Sequence, residues 1–122
     1  MPIVDIEIVS SAGTAGASPA AGSLADALGV ALHSPPGRTW VRVHTLDASA
    51  YAENQAAPSC AELPVFVTVL HAHLPVGEAF NSELHAVTHA VAAWAGRPED
   101  KVHVQYAPAA AGRQAFGGKL VR

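Results

Sequence analysis

The chain carries the same short pattern twice, and this repeat limits what it can fold into. Pro2 opens a run of β-branched residues typical of a strand, and Pro64 opens another such run 62 positions later. Each run is followed by a segment with helical periodicity and then by a second valine-rich strand, reached at Val41 after 39 positions and at Val102 after 38. Matching distances of this kind indicate a duplicated β-α-β unit.

Hydrophobic periodicity predicts two helices and four strands. The first helix carries leucines four residues apart from Leu24 to Leu32, after a Ser-, Gly- and Ala-rich segment over about 10–22, and we expect Pro35-Pro36 to end it. The second helix is expected over about 77–95, where Gly96 stops it. The strands are expected over residues 3–9, 39–46, 64–72 and 101–107.

These elements predict an α/β (α+β) fold built from tandem β-α-β units. Right-handed crossovers make the two strands of each unit parallel, so the units together give a four-stranded mixed sheet with both helices on one face. We expect the other face to be largely apolar and buried against neighbouring subunits. Residues 1–122 are interpreted as one domain, with repeats over 2–55 and 64–118 joined by a polar connection.

Composition excludes several functional classes. Half of the 122 residues are apolar but only 6% are aromatic, which indicates a thin core and favours oligomerisation. A net charge of −3 gives no electrostatic reason to expect nucleic acid or an anionic membrane as partner. No signal peptide or membrane-spanning run is visible, so a soluble cytoplasmic protein is expected. The single cysteine, Cys60, excludes an internal disulfide.

Pro2 itself suggests a catalytic amine. Initiator methionine is normally removed before proline, which would leave a secondary amine at the start of the chain. An α-amino group ordinarily has a pKa near 7.7–8.0, and burial or a nearby positive charge lowers it, so that the amine can act as a base at neutral pH. The simpler reading is that Pro2 only begins a strand, where no ladder donor is needed.

The order of these features resembles the tautomerase superfamily. The resemblance lies in Pro2 at a strand start, the paired β-α-β units, and the segments Val41-Arg42-Val43 and Phe116-Gly117-Gly118, and it covers nearly the whole chain. That superfamily includes 4-oxalocrotonate tautomerase, 5-carboxymethyl-2-hydroxymuconate isomerase and macrophage migration inhibitory factor. The resemblance implies a homotrimer, no cofactor, and an amino-terminal proline at the bottom of each pocket.

The implied activity is tautomerisation or isomerisation of small enol or 2-keto acids, with Pro2 as both base and acid. Two alternatives stay open. The first is a dehalogenase, hydratase or decarboxylase of small unsaturated acids, activities found in relatives with the same proline. The second is a non-catalytic binding protein of the migration inhibitory factor type. The arginine pair that chloroacrylic acid dehalogenases place after the third strand is absent from residues 70–75, which makes dehalogenation less favoured.

The resemblance also implies roles for several side chains toward a carboxylate substrate. Arg42 corresponds to a substrate-binding arginine, whose guanidinium suits bidentate pairing with a carboxylate, and Phe116 corresponds to an aromatic pocket wall. Arg38 and Arg113 are further candidates for binding the carboxylate. Positions that match pocket residues of migration inhibitory factor but differ in type are Ser34, His73, His103 and Gln105.

Histidines suggest a competing metal site. His85 and His89 lie four residues apart on the second predicted helix, and His71 and His73 lie just upstream. The helical pair lacks the glutamate of the HExxH motif, and its spacing relative to the apolar residues turns it toward solvent. We therefore expect no metal, and since no dinucleotide- or phosphate-binding pattern occurs, no organic cofactor either.

Overall fold

The computed structural model describes residues 2–11 and 20–122. Two α-helices are present in this part of the chain, α1 (Ala21–Ala31) and α2 (Gly77–Ala95). Four strands form the main sheet, and two further strands of two residues each form a separate hairpin. The strands are β1 (Ile3–Ser10), β2 (Trp40–Asp47), β3 (Val65–Leu70), β4 (Val102–Tyr106), β5 (Ala115–Phe116) and β6 (Lys119–Leu120).

The main sheet has the strand order β2-β1-β3-β4. Within each β-α-β unit the strands are parallel, β1 with β2 and β3 with β4, whereas the two units meet through the antiparallel pair β1–β3. The predicted β-α-β arrangement and the four-stranded mixed sheet are therefore confirmed. The antiparallel joint places the start of β1 beside the end of β3.

The core lies between the sheet and the two helices. Alternation along β1 turns Val4, Ile6 and Ile8 toward the helices, and the register places Val67 of β3 and Val43 of β2 on either side of Ile6. The helices contribute their own apolar stripes, and they also contact each other. The fully buried members are Leu24 and Leu28 of α1 and Val87 and Val91 of α2.

The helix ends differ from the prediction at one point. α2 spans the predicted residues and stops at Gly96, which adopts the left-handed conformation (φ 66°) that glycine favours. α1 ends at Ala31, four residues before Pro35-Pro36, because His33 turns to φ 51°. The amides of His33 and Ser34 then bond back to the carbonyls of Val30 and Gly29, at 3.1 and 2.9 Å, and close the last turn. The prolines therefore do not end the helix. The predicted loop or helix start over 10–22 falls largely outside the described residues.

The face of the sheet that turns away from the helices is mixed in character. The prediction of a largely apolar face is wrong, because the outward positions of the central strands include the charged Asp5 and Glu7 and the polar Thr68. Asp5 of β1 forms an ion pair with Arg42 of β2 across this face. Other outward residues are Ile3, Glu7, Trp40, His44, Leu46, Phe66, Thr68, Leu70, His103 and Gln105.

The segment after β4 folds back over the end of β3. The amides of Ala110 and Ala111 donate to the carbonyls of His71 and Ala72, at 2.8 and 3.0 Å. The β5–β6 hairpin follows, and its turn uses Gly117 and Gly118 at positive φ. Within the described part of the chain, no helix is long and apolar enough to cross a membrane.

We expect Ile6→Ala to lower the free energy of unfolding by about 2–5 kcal/mol, because it opens a cavity in the middle of the central strand. Val30→Ala is the matched control, since Val30 is 78% exposed on α1 and should change stability little. Chemical denaturation of both variants measures the difference. Equal losses would show that the central strand does not carry the core.

Candidate active site

Pro2 lies at the end of the sheet where β1 and β2 begin and where β3 and β4 finish, here called the Pro2 end. The residue is buried, and its carbonyl accepts a hydrogen bond of 3.1 Å from the Trp40 amide. Because Ile3 pairs with Trp40 in β2 and with Leu70 in β3, continuing both registers by one residue puts Thr39 and His71 on either side of Pro2. Alternation turns all three toward the helix layer.

Thr39 places an unsatisfied hydroxyl group beside Pro2. Its hydroxyl oxygen is buried and has no hydrogen-bond partner in the described part of the chain. A buried hydroxyl without a partner costs about 1–3 kcal/mol, so such a group is uncommon unless a ligand, a water or another group completes it. Ser34, predicted from the resemblance, lines the same cavity of about 420 Å³ as Thr39.

A cluster of three polar side chains also lies at the Pro2 end. One carboxylate oxygen of Glu83, on α2, is 2.8 Å from His71 Nε2 and accepts a second hydrogen bond of 2.8 Å from the Tyr106 hydroxyl. The His71 and Glu83 side chains are only 12% and 10% exposed. The His71 ring stacks on the Tyr106 ring, which Phe80 contacts from α2. Burial, followed by the bond and charge of Glu83, raises the pKa of Tyr106 strongly.

An apolar cavity of about 540 Å³ opens near the same end of the sheet. The rings of Trp40 and Phe116 meet edge to face there, with centroids 5.3 Å apart, and the Trp40 amide links this wall directly to Pro2. Arg38 and Lys119 also line the cavity, and neither cation forms an ion pair with any residue the structure describes. The predicted aromatic wall residue Phe116 thus lies in a cavity with positive charge.

Three of the predicted site residues lie instead on the outward sheet face. Arg42 binds both carboxylate oxygens of Asp5, at 2.5 and 2.8 Å, and this partner raises the pKa of the guanidinium. Gln105 donates to the Thr68 hydroxyl at 3.1 Å, and the His103 ring lies 5.5 Å from the Phe66 ring. Arg42 and Gln105 line a polar cavity of about 470 Å³ on this face.

The last two predicted residues lie in the loops near the Pro2 end. His73 is exposed, and its Nε2 is 3.2 Å from the carbonyl oxygen of Arg122. Arg113 is exposed in the turn after β4, where its backbone amide donates to Ala110. The structure therefore divides the nine predicted residues among three places: the Pro2 end and its cavities, the outward face, and the loops.

No group of three potential metal ligands occurs in residues 2–11 and 20–122. His85 and His89 both point to solvent, as their helical spacing predicts, and His89 lies 3.5 Å from Glu99. The prediction that the protein needs no metal or organic cofactor stays a prediction.

Sequence reasoning missed Glu83 and Tyr106 and considered His71 only as a metal ligand. One signal was available for Glu83. It lies three residues after Phe80 and four before Val87, so it is a carboxylate at the spacing of the buried helix face. The role of His71 required the β1–β3 pairing, which no local pattern specifies.

Comparison with solved structures shows what this geometry is similar to. A structure of Pt0534 inactivated by 2-oxo-3-pentynoate has a TM-score of 0.73 and 19% identity, covering 98% of this chain and 95% of the other. The wild-type fused 4-OT symmetric trimer has a TM-score of 0.72 and 15% identity, covering 98% and 94%. Macrophage migration inhibitory factor from Oncomelania hupensis has a TM-score of 0.73 and 14% identity, covering 100% and 83%.

The chain has the tautomerase superfamily fold. Migration inhibitory factor homologues and FG41 malonate semialdehyde decarboxylase, at 21% identity, are also among the matches. No protein-family profile matches the sequence, and a search of curated proteins found no match. At these identities the tautomerase fold is what the comparisons establish.

We expect stability to fall as the pH rises above about 10, where an ordinary tyrosine ionises. The raised pKa of Tyr106 means that the unfolded chain loses this proton before the folded chain does, so stabilisation is complete below that pH and lost above it. Tyr106→Phe should flatten this dependence in thermal unfolding measured from pH 8 to 11.

The control for this measurement is Tyr51→Phe. Tyr51 also donates to a carboxylate, that of Glu53, but its phenol is far less buried. The alkaline loss of stability should be retained more fully in this variant than in Tyr106→Phe. The reverse order would show that the Tyr106 phenol is open to solvent.

Proposed function

We propose that this protein, once Met1 is removed, is a cofactor-independent tautomerase or isomerase of small enol or 2-keto acids. The observation that supports it most is the buried position of Pro2 at the start of the central strand of a tautomerase fold. An amine held in such a place is partly desolvated, which favours its neutral form and makes it a base near neutral pH. A whole-chain, single-domain organisation is part of this proposal.

The proposed reaction moves one proton. The neutral Pro2 amine removes it from an enol hydroxyl or from an acidic carbon, and the resulting ammonium returns it to another carbon of the same molecule. Negative charge develops on the substrate oxygen between these two events. Cations near the Pro2 end stabilise that charge and fix the orientation of the substrate.

Arg38 and Lys119 are the cations we assign to the substrate carboxylate, with Trp40 and Phe116 as the apolar wall. Two observations support this role: Arg38 and Lys119 line one cavity at the Pro2 end, and neither forms an ion pair with the described residues. Arg113 and His73 are proposed as further contacts in the nearby loops, and Ser34 beside Thr39. Arg42 would have to leave Asp5 before it could bind a carboxylate of its own.

We expect Pro2→Ala to lower kcat/KM for the ketonisation of phenylenolpyruvate at least tenfold, because alanine supplies a primary amine with different basicity and geometry in place of the ring nitrogen. Intact mass must first show that Met1 is absent, since a retained methionine converts Pro2 into an amide. Val76→Ala, an exposed change on the helix side, is the control. Equal activity of wild type and Pro2→Ala would contradict the proposal.

A decarboxylase is the second candidate, because malonate semialdehyde decarboxylase is among the structures that share the fold. The same variants assayed with malonate semialdehyde discriminate the two activities. A processed chain that is inactive on both substrates would favour a binding protein similar to migration inhibitory factor.

We also propose that the protein forms a homotrimer through its outward sheet face. The trimeric fused 4-OT with the same fold supports this, as does the exposure of Phe66 and Trp40, which are 37% and 42% exposed on that face. Burying such aromatic side chains against another copy removes apolar surface from water.

Phe66→Glu should shift the protein to monomer in light scattering coupled to size exclusion, because each interface would then bury an unpaired carboxylate. Val76→Glu is the matched control, since Val76 is 81% exposed on the helix side and should leave the assembly unchanged. A trimer that persists in Phe66→Glu would place the interface elsewhere.

A further inference from the structure

A cavity lined by the end of α1 and the first half of α2, here called the interhelix cavity, shares no lining residue with the cavity at Trp40 and Phe116. Its volume is about 480 Å³, within the range that small-molecule sites occupy. The exposed His33 and Ser82 line it, but most of its lining is short and apolar. The apolar lining residues are Val30 and Ala31 of α1, Ala79 and Ala86 of α2, and Pro75 before α2.

Glu83 brings a carboxylate to this cavity. Its side chain is only 10% exposed, and it is one of the lining residues. Oε2 lies 2.8 Å from both His71 Nε2 and the Tyr106 hydroxyl, whereas Oε1 has no hydrogen-bond partner in the part of the chain that the structure describes. Neither a lysine nor an arginine pairs with Glu83 among these residues, so no permanent cation offsets its charge. A cationic ligand would offset it where little water competes.

The carboxyl end of α1 adds negative polarity to the same place. The last carbonyls of a helix carry partial negative charge. In a continuing helix the carbonyls of Ala31 and Leu32 would accept from the amides of Pro35 and Pro36, but proline has no N–H. Neither carbonyl accepts a hydrogen bond from any residue that the structure describes. Because Ala31 lines the cavity, this acceptor end of the helix and Glu83 act on the same ligand.

The apolar lining decides which kind of cation fits. A metal ion needs several oxygen or nitrogen ligands, and no group of three potential metal-ligating side chains occurs within residues 2–11 and 20–122. A primary ammonium needs fewer partners, since it has three hydrogens to donate. A hydrocarbon chain attached to it would contact the alanine and proline side chains and cover Val30, which is 78% exposed.

We propose that the interhelix cavity binds a small primary alkylammonium ion. The ammonium group donates to Glu83 and to the Ala31 carbonyl, and the alkyl chain lies against Val30, Ala79 and Ala86. This binding site goes beyond the proposed function, because it requires neither a free amine at Pro2 nor catalysis.

Butylammonium chloride is the first probe, titrated by NMR at pH 8 and constant ionic strength. An alkylammonium stays charged at this pH, while histidines are ordinarily neutral. Saturable shifts are expected in the backbone amide signals of Ala31, Ala79 and Ala86. 1-Butanol has the same chain without the charge and should bind at least tenfold more weakly. No saturable shift at these residues, or equal binding of 1-butanol, would overturn the proposal.

Glu83→Gln keeps the shape of the side chain and removes its charge, so the dissociation constant of butylammonium should rise at least tenfold. Asp100→Asn is the matched control, since it removes the same charge at an exposed position before β4 and should leave binding unchanged. An equal loss in both variants would show that the net charge of the protein attracts the ion, which contradicts a site at Glu83.

Ala86→Leu tests the cavity with the carboxylate in place. The larger side chain fills part of the cavity, so butylammonium should bind at least tenfold more weakly. Ala93→Leu makes the same change at an exposed position of α2 and should bind as wild type does. Circular dichroism confirms that each variant is folded. Wild-type affinity in a folded Ala86→Leu would overturn the proposal, whatever the result for Glu83→Gln.

Pro2→Ala separates this site from the proposed function. The variant should bind butylammonium with wild-type affinity even where its activity on phenylenolpyruvate is lost. A processed wild type that binds butylammonium but is inactive would contradict the proposed function alone, and an active wild type that does not bind it would overturn this inference alone.

Discussion

The antiparallel pairing of β1 with β3 is the interaction on which the rest of the molecule depends. Each β-α-β unit could form two parallel strands by itself, but only this joint merges them into one sheet with one core. It also sets the side-chain faces, because a shift of one residue would turn Ile6 and Val67 out of the core. The same register brings His71 beside Pro2, so core packing and site geometry have a common origin.

Much of the architecture could be predicted from the sequence because it depends on local patterns. The span of α2 follows from apolar spacing and from Gly96, and the strands follow from β-branched runs. The end of α1 could not be read from Pro35-Pro36, since a backbone turn at His33 stops the helix first. The β5–β6 hairpin was missed because two-residue strands carry no measurable alternation.

The site was less predictable because it is assembled from contacts between distant segments. His71, Glu83 and Tyr106 come from a loop, a helix and a strand. The sequence around any one of them does not indicate that it contacts the other two. Arg42 illustrates the opposite case. Its strand position was correct, but the partner that occupies its guanidinium, Asp5, comes from a neighbouring strand whose pairing the pattern did not specify.

The Arg42–Asp5 ion pair and the cluster of His71, Glu83 and Tyr106 differ in their exposure to solvent. The Arg42–Asp5 pair lies on the outward face with side chains 64% and 39% exposed, where water and salt weaken it. The Glu83 cluster lies under α2 with little access to solvent. In a single subunit outside the proposed trimer, a change of ionic strength would therefore affect the outward face well before it affects the groups around Pro2.

The backbone of the C-terminal segment joins the cavity wall to this cluster. Phe116 and Lys119, which line the cavity, belong to the segment after β4. The Ala110 and Ala111 amides of this segment donate hydrogen bonds to the carbonyls of His71 and Ala72. Gly112 and Val121 close the same segment on itself through an amide-to-carbonyl bond of 2.7 Å. The wall of the cavity and the backbone at His71 are thus connected, so a molecule that displaces the hairpin would also strain the hydrogen bonds that hold the end of β3.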